Sequence, residues 1–183
     1  MRYLFCLITF FALFSGAAQS FYPVAKSVES IGYHFTDSRY RQKSQAAFKP
    51  TPANNWYNVR ASAYQNTISR NGDTISCPLI DVSTLKSIEV FYIKTGEKLF
   101  ADFYGRAEIQ QWVFGDAESA ANAAAVIESG RKLLGVRLEK APWELWQKDN
   151  RLYFVVTEGQ YMEDENEYQK IVILLKEKTD AGK

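Results

Sequence analysis

The chain has 183 residues, with 22 basic and 21 acidic side chains, one histidine and an aromatic share of 15%. A formal net charge of +1 gives no general attraction to nucleic acid or to an anionic membrane, so neither is expected as a partner. Two cysteines, Cys6 and Cys77, do not make a disulfide framework, and the fold must therefore rest on a hydrophobic core.

Residues 1–20, MRYLFCLITFFALFSGAAQS, begin with Arg2, run apolar from Tyr3 to Phe14 and end in small residues. That is the layout of a secretory signal peptide, and the run is too short to span a bilayer comfortably. Cleavage is expected after Ala18 or after Ser20. Cys6 lies inside the apolar run, which argues against lipoprotein processing. Removing 20 of 183 residues leaves 163, enough for one domain with its own core, a single cysteine and equal numbers of acidic and basic residues. No second long apolar run follows, so no integral membrane segment is expected after cleavage. A periplasmic or secreted bacterial protein is the expected setting.

Residues 21–55 divide into a short helix and a flexible basic arm. Val24, Val28 and Ile31 recur at helical spacing, and Pro23 is tolerated in a first turn. From Thr36 to Asn55 the chain is polar, holds Pro50 and Pro52 and shows no sustained period. Residues 56–178 form the expected single domain. Thr67–Arg70 and Asp73–Ser76 flank Asn71-Gly72, the pair that best accepts a type I′ turn, which predicts a hairpin starting near Trp56 or Tyr57 and ending at Cys77-Pro78. A second hairpin is predicted from Leu85–Lys94, through Thr95-Gly96, into Lys98–Gly105. Gly105 marks either a bulge that lets the chain continue into a strand over 106–114 or a turn that reverses it.

In that strand, alternation puts Trp112 and Phe114 on one face. Asp116 is the expected cap of an alanine-rich helix over 117–129, with Glu118 in its first turn and Gly130 closing it. Leu133–Glu139 predicts a short strand, Pro142–Trp146 a helical turn, Asp149-Asn150 a reversal, and Arg151–Thr157 a strand. The last element is read as a helix: Asp164 and Glu167 form a cap-like pair, and Tyr168, Ile171, Val172 and Leu175 share a helical stripe. Residues 179–183 are expected to be a disordered tail. The fold class is therefore α+β, a mostly antiparallel sheet built from hairpins, with the alanine-rich and C-terminal helices packed on one face.

Candidate chemistry is sparse. His34 lies near Asp37, with Ser38 and Ser44 nearby as conceivable nucleophiles, but sequence proximity is not the geometry of a triad. Cys77 has apolar neighbours and no base beside it, which favours a buried apolar role. One His and one Cys do not supply a zinc site, and the five carboxylates of 158–167 lack calcium-loop spacing, so neither metal nor cofactor is expected. Two surfaces suit binding. Arg39 and Arg41, with Lys43, Lys49 and Arg60 among aromatic residues, suit a polyanion or acidic partner. Trp143, Glu144 and Trp146 combine apolar ring faces with a carboxylate acceptor, although three-residue helical spacing also suits a core position. Trp112 joins them if it faces outward on an open sheet.

From Ile109 to Lys176, the order of elements, with Gln110, Phe114 and Ala120 followed by Leu152, Tyr153 and Val155, resembles SPOR domains. Trp112 stands where those domains favour glycine. The resemblance implies a strand-helix-strand-strand-helix unit that binds peptidoglycan in the cell envelope. The leading expectation from the residues is an exported, non-catalytic domain that binds a protein or a cell-envelope polymer. An enzyme using His34 or Cys77, and a small-molecule carrier with a closed apolar cavity between helix and sheet, are the competing expectations.

Overall fold

Strand β3, Phe103–Phe114, is the middle of a five-stranded sheet in which every pairing is antiparallel. The sheet order is β1 (Tyr33–Phe35), β2 (Leu85–Phe100), β3, β5 (Arg151–Thr157) and β4 (Trp143–Lys148). Helix α1 (Tyr22–Lys26) and a 3₁₀ turn (Ser27–Ile31) precede the sheet, α2 (Ala117–Leu134) follows β3, and α3 (Glu167–Asp180) closes the chain. The computed structural model describes residues 20–36, 55, 57–58, 61–62, 72, 76–134, 143–157 and 166–181. The α+β class and the antiparallel sheet are as the sequence predicts.

The placement of the helices is not. From Ala107 to Phe114 every residue of β3 is buried, and so is every residue from Leu152 to Thr157 in β5. A strand with one wet face alternates, so unbroken burial requires cover on both faces. Trp112, Phe114, Leu152, Phe154 and Val156 pack with Ala120, Ala123 and Ile127 of α2. Ala107, Ile109, Tyr153 and Val155 pack on the other side with Phe21 and Ala25 next to and in α1, and with Ile171, Val172 and Leu175 of α3. The two long helices therefore lie on opposite faces of the sheet. The alanines at 120 and 123 keep α2 thin where Trp112 fills the space beneath it, the ring lying 4.5 Å from that of Phe154.

Local signals set several boundaries. Asp116 Oδ1 accepts the backbone N–H of Ser119 at 2.7 Å, which caps α2 as predicted. That contact, reinforced by the Ser119 hydroxyl, holds the Asp116 carboxyl below the ordinary carboxylate range. Gly130 does not end α2, which continues to Leu134, the second residue of the segment that the sequence assigns to a strand. Instead Gly130 is where Tyr57 meets the helix: a Cβ there would lie 2.0 Å from the tyrosine Oη. Asn58 fixes the same segment, its side chain accepting the Ile80 N–H at 2.9 Å. Tyr57, Asn58, Ala61 and Ser62 are helical rather than the start of a strand. The rest of the predicted arms flanking Asn71-Gly72 lies outside the described residues, except that Ser76–Pro78, the predicted end of the second arm, is not a strand; residues 135–139 lie outside them too.

The second hairpin forms, but it turns at Ala101-Asp102, with Ala101 in the left-handed region at φ 47°. Between Lys94 and Lys98 the register of β2 slips by two residues against β3. Thr95 holds this bulge, its hydroxyl donating to the Glu97 carbonyl and accepting the Gly105 N–H at 3.0 Å. Gly105 thus lies within a continuous β3. Residues 143–148 form strand β4, not a helical turn, because they pair along β5 from Trp143↔Val156 to Lys148↔Arg151. Helix α3 is as predicted, but it begins at Glu167 with Asn166 as its cap residue, so Glu167 is not the third residue of a capping box. It runs to Asp180 with Thr179 buried, past the predicted tail boundary. Glu167 instead accepts the Tyr33 hydroxyl at 2.8 Å and an ion pair from Lys170, which ties α3 to β1.

Candidate functional site

The sequence-predicted tryptophans do not form a surface together. Trp112 is fully buried, and its Nε1 donates to Gln110 Oε1 at 2.6 Å. Gln110 in turn donates to Glu108, so three successive inward residues of β3 form a buried polar row. Trp143 and Trp146, three apart in a strand, point to opposite faces. Trp143 is buried on the α2 side beneath the Arg131 guanidinium, which lies 4.4 Å from its ring centroid. Trp146 is half-buried on the α3 side, stacked on Tyr153 at 5.3 Å and donating to Thr179 Oγ1 at 3.3 Å. Glu144 is engaged by α3 as well, accepting from Tyr168 Oη and Lys176 Nζ, both at 3.0 Å. Arg39 and Arg41 lie outside the described residues.

Of the catalytic candidates, His34 and Cys77 lie in different parts of the fold, and Asp37, Ser38 and Ser44 lie outside the described residues. His34 is exposed on β1 next to Gly96, and no carboxylate contacts it among the described residues. Cys77 is buried in the α2-side core, with its Sγ 3.6 Å from Tyr57 Oη. Burial, with the hydrogen bond to Cys77 adding to it, pushes the Tyr57 hydroxyl well above the usual phenol range. Such a tyrosine stays protonated and acts as a structural donor: its Oη is 3.0 Å from the Pro78 carbonyl oxygen. Among the described residues, no group of three or more His, Cys, Asp or Glu is placed to hold a metal ion. The space between α2 and the sheet, where a carrier would need its cavity, is filled by Trp112, Phe114, Ile127 and Phe154.

A different site emerges on the α3 side. A cleft of about 260 Å³ opens between the start of the described chain, the β4–β5 turn and the C-terminal end of α3. Its floor is Gln111 and Tyr153, directly paired across β3 and β5. Gln111 is only 2% exposed; its Nε2 donates to Tyr153 Oη at 3.4 Å, and its Oε1 has no hydrogen-bond partner among the described residues. An unsatisfied buried amide oxygen is unusual in a folded protein and calls for a reason.

The walls carry charge. Lys148, Arg151 and Lys178 line the cleft with Asp149 and Thr179. Lys148 donates to the Thr179 carbonyl at the end of α3, where a cation suits the helix dipole, and lies 3.7 Å from Asp180. Arg151 and Lys178 make no ion pair among the described residues. The turn that presents Arg151 is fixed by Asp149 at φ 52° and by Asn150, whose side chain donates to the Phe114 carbonyl at 2.8 Å. Glu89 is the cross-strand neighbour of Gln111 on β2, and its Oε2 is occupied by the Phe21 N–H at 3.0 Å.

None of these cleft residues stands out in the sequence, because they come from four distant segments. The one local signal is polar residues at both parities of a buried strand, Gln110 and Gln111 side by side. Among the described residues, no helix is long and apolar enough to cross a membrane. No protein-family model matches the chain, and neither a curated protein nor a solved structure is significantly similar to it.

Proposed function

We propose that this is an exported, non-catalytic binding domain of the bacterial cell envelope, and that it engages its macromolecular partner through the Gln111 cleft rather than through a sheet face. The observation that carries this reading is a cleft lined by Gln111, whose buried side-chain oxygen has no hydrogen-bond partner among the described residues, and by Arg151 and Lys178. A polar group kept dry and unpaired costs stability, and a site that completes its hydrogen bond on binding recovers it. Both faces of the central strands are already covered, so the aromatic sheet-face mode has no surface there to use. Export is supported by the Arg2 and Tyr3–Phe14 pattern and its small-residue end. The non-catalytic reading is supported by the burial of Cys77 in the core beneath α2.

The SPOR-like, peptidoglycan-binding reading keeps one observation in its favour. From β3 to α3 the order is strand, helix, strand, strand, helix, as that resemblance implies. One experiment serves both readings. The full chain is expressed with its first 20 residues in a Gram-negative host and fractionated, and the exported protein is sedimented with purified sacculi. Recovery from the periplasm with saturable co-sedimentation is the expected result. Retention in the cytoplasm removes the export reading. Export without co-sedimentation, for the native protein and for an Arg151→Gln/Lys178→Gln variant alike, removes the polymer as partner and leaves a protein ligand to be sought.

A further inference from the structure

We infer that the Gln111 cleft is an oxyanion site: it takes a carboxylate or phosphoryl group, held by Arg151 and Lys178 at the walls and by the Gln111 amide at the floor. The inference rests on the binding-domain reading above and names the ligand chemistry for that same site.

The floor is adaptable. Tyr153 Oη both donates and accepts, so the Gln111 amide satisfies its contact with Tyr153 in either of two orientations related by a flip. In one orientation the unpaired end is the carbonyl oxygen, and in the other it is the NH₂ group. With an anion in the cleft, the flipped amide donates to it and accepts from Tyr153. A ligand carrying its own donor instead meets the amide as it stands. Either way, the buried end gains the partner it lacks.

The walls decide the sign of the ligand. Six charged groups lie on or next to the cleft, and they are not equivalent. Lys148 is held by the Thr179 carbonyl and by Asp180, and Glu89 accepts the Phe21 N–H, so these three charges are already engaged. Asp149 lines the cleft at the exposed turn. Arg151 and Lys178 are left without an ion-pair partner among the described residues and face the same space. Cations free of partners beside a desolvated amide favour an oxyanion, and a guanidinium in particular matches two oxygens of one planar or tetrahedral group. The cleft, at about 260 Å³, has room for a ligand larger than a single water.

The test uses the exported protein, labelled with ¹⁵N, and three probes at equal ionic strength: sodium chloride, sodium acetate and sodium phosphate. The side-chain NH₂ of Gln111, the Nε–H of Arg151 and the backbone amide of Asn150 are followed. Saturable shifts with acetate or phosphate and not with chloride are expected, with a Kd on the order of a millimolar for so small a ligand. The stronger arm tells a carboxylate from a phosphoryl source. Arg151→Gln is expected to weaken binding about tenfold. Gln111→Met fills the same space without the polar end, and it should abolish the saturable shift at Asn150 while leaving the melting temperature equal or higher. Linear shifts with all three salts, or a Gln111→Met protein that binds as the native one does, overturn the oxyanion site. They leave the envelope-binding reading to stand or fall on co-sedimentation.

Discussion

Replacing Gly130 by alanine should destabilise this protein, against the usual direction for a helix. In an exposed helix interior the change favours the helix by about 1 kcal/mol. Here the new Cβ would stand 2.0 Å from Tyr57 Oη, 3.0 Å from Cζ and 3.3 Å from Cε2. Tyr57 is fully buried, and its hydroxyl is held between the carbonyls of Pro78 and Val126 at 3.0 and 3.3 Å. Overpacking of this kind costs about 1–3 kcal/mol, and moving the ring strands a buried hydroxyl for about 1–3 kcal/mol more. After the helix gain is subtracted, a net loss of about 3 kcal/mol is expected, a fall in Tm of about 6–12 °C at about 2–4 °C per kcal/mol. Chemical and thermal denaturation followed by far-UV circular dichroism give both numbers. Tyr57→Phe removes the nearest atom, so the double variant should lose less than the sum of the singles, by about 1 kcal/mol or more. A Gly130→Ala protein more stable than the native one, with additive behaviour alongside Tyr57→Phe, would show that the glycine is not there for close approach.

The same packing has further consequences. Trp112→Ala empties the centre of the α2-side core and removes the donor to Gln110, with an expected cost of about 3–5 kcal/mol by denaturant titration. A loss under about 1 kcal/mol would contradict the core assignment. Burial, reinforced by the Glu167 hydrogen bond and charge, raises the Tyr33 hydroxyl above the phenol range. A raised folded-state pKa means that this stabilising contribution is complete below about pH 10 and is lost as pH climbs through the folded value. Tyr33→Phe should therefore be less stable than the native protein at pH 7 and lose that difference in strong alkali. The Asp116 carboxyl is held low by its cap, so its contribution is present above about pH 3.9 and vanishes as pH falls through the folded value. The Tm difference between native and Asp116→Ala protein should accordingly shrink to nothing in strong acid. If export removes residues 1–20, the new α-ammonium stands where the Phe21 N–H now meets Glu89, 3.0 Å away. Intact mass of the exported chain should then begin at Phe21, and a mass beginning at Gln19 would rule that junction out.

What can be read from the sequence is what short-range chemistry decides. Asp116 caps a helix three residues on, Asp149-Asn150 reverses two adjacent strands, and the stripe of Tyr168, Ile171, Val172 and Leu175 marks α3. Misreadings arise where a distant partner overrides the local signal. Pro142–Trp146 reads as a helical turn until Trp143–Lys148 pairs with β5, and the change of period sends the two tryptophans to opposite faces. Thr95-Gly96 carries the better turn composition, yet the Thr95 hydroxyl bonded to Gly105 makes a bulge there and pushes the turn to Ala101-Asp102. Gly130 reads as a cap because its reason, the Tyr57 ring, is 73 residues away in the chain. The double-sided cover of the sheet is visible in principle, since Arg151–Thr157 holds large apolar residues at both parities. The cleft is not, because Gln111, Arg151 and Lys178 become neighbours only after three separate elements have packed.

Whether the Gln111 cleft is the binding site can be decided by mapping where an envelope ligand touches the exported protein. Backbone and side-chain amide shifts are recorded while soluble peptidoglycan fragments are added. Perturbations should centre on Gln111, Asn150, Arg151 and Lys178, and they should disappear in the Arg151→Gln/Lys178→Gln variant with its fold unchanged. Perturbations centred instead on the β1 side around His34, or on the rings of Tyr22, Phe35 and Phe91, would contradict the cleft as the binding site.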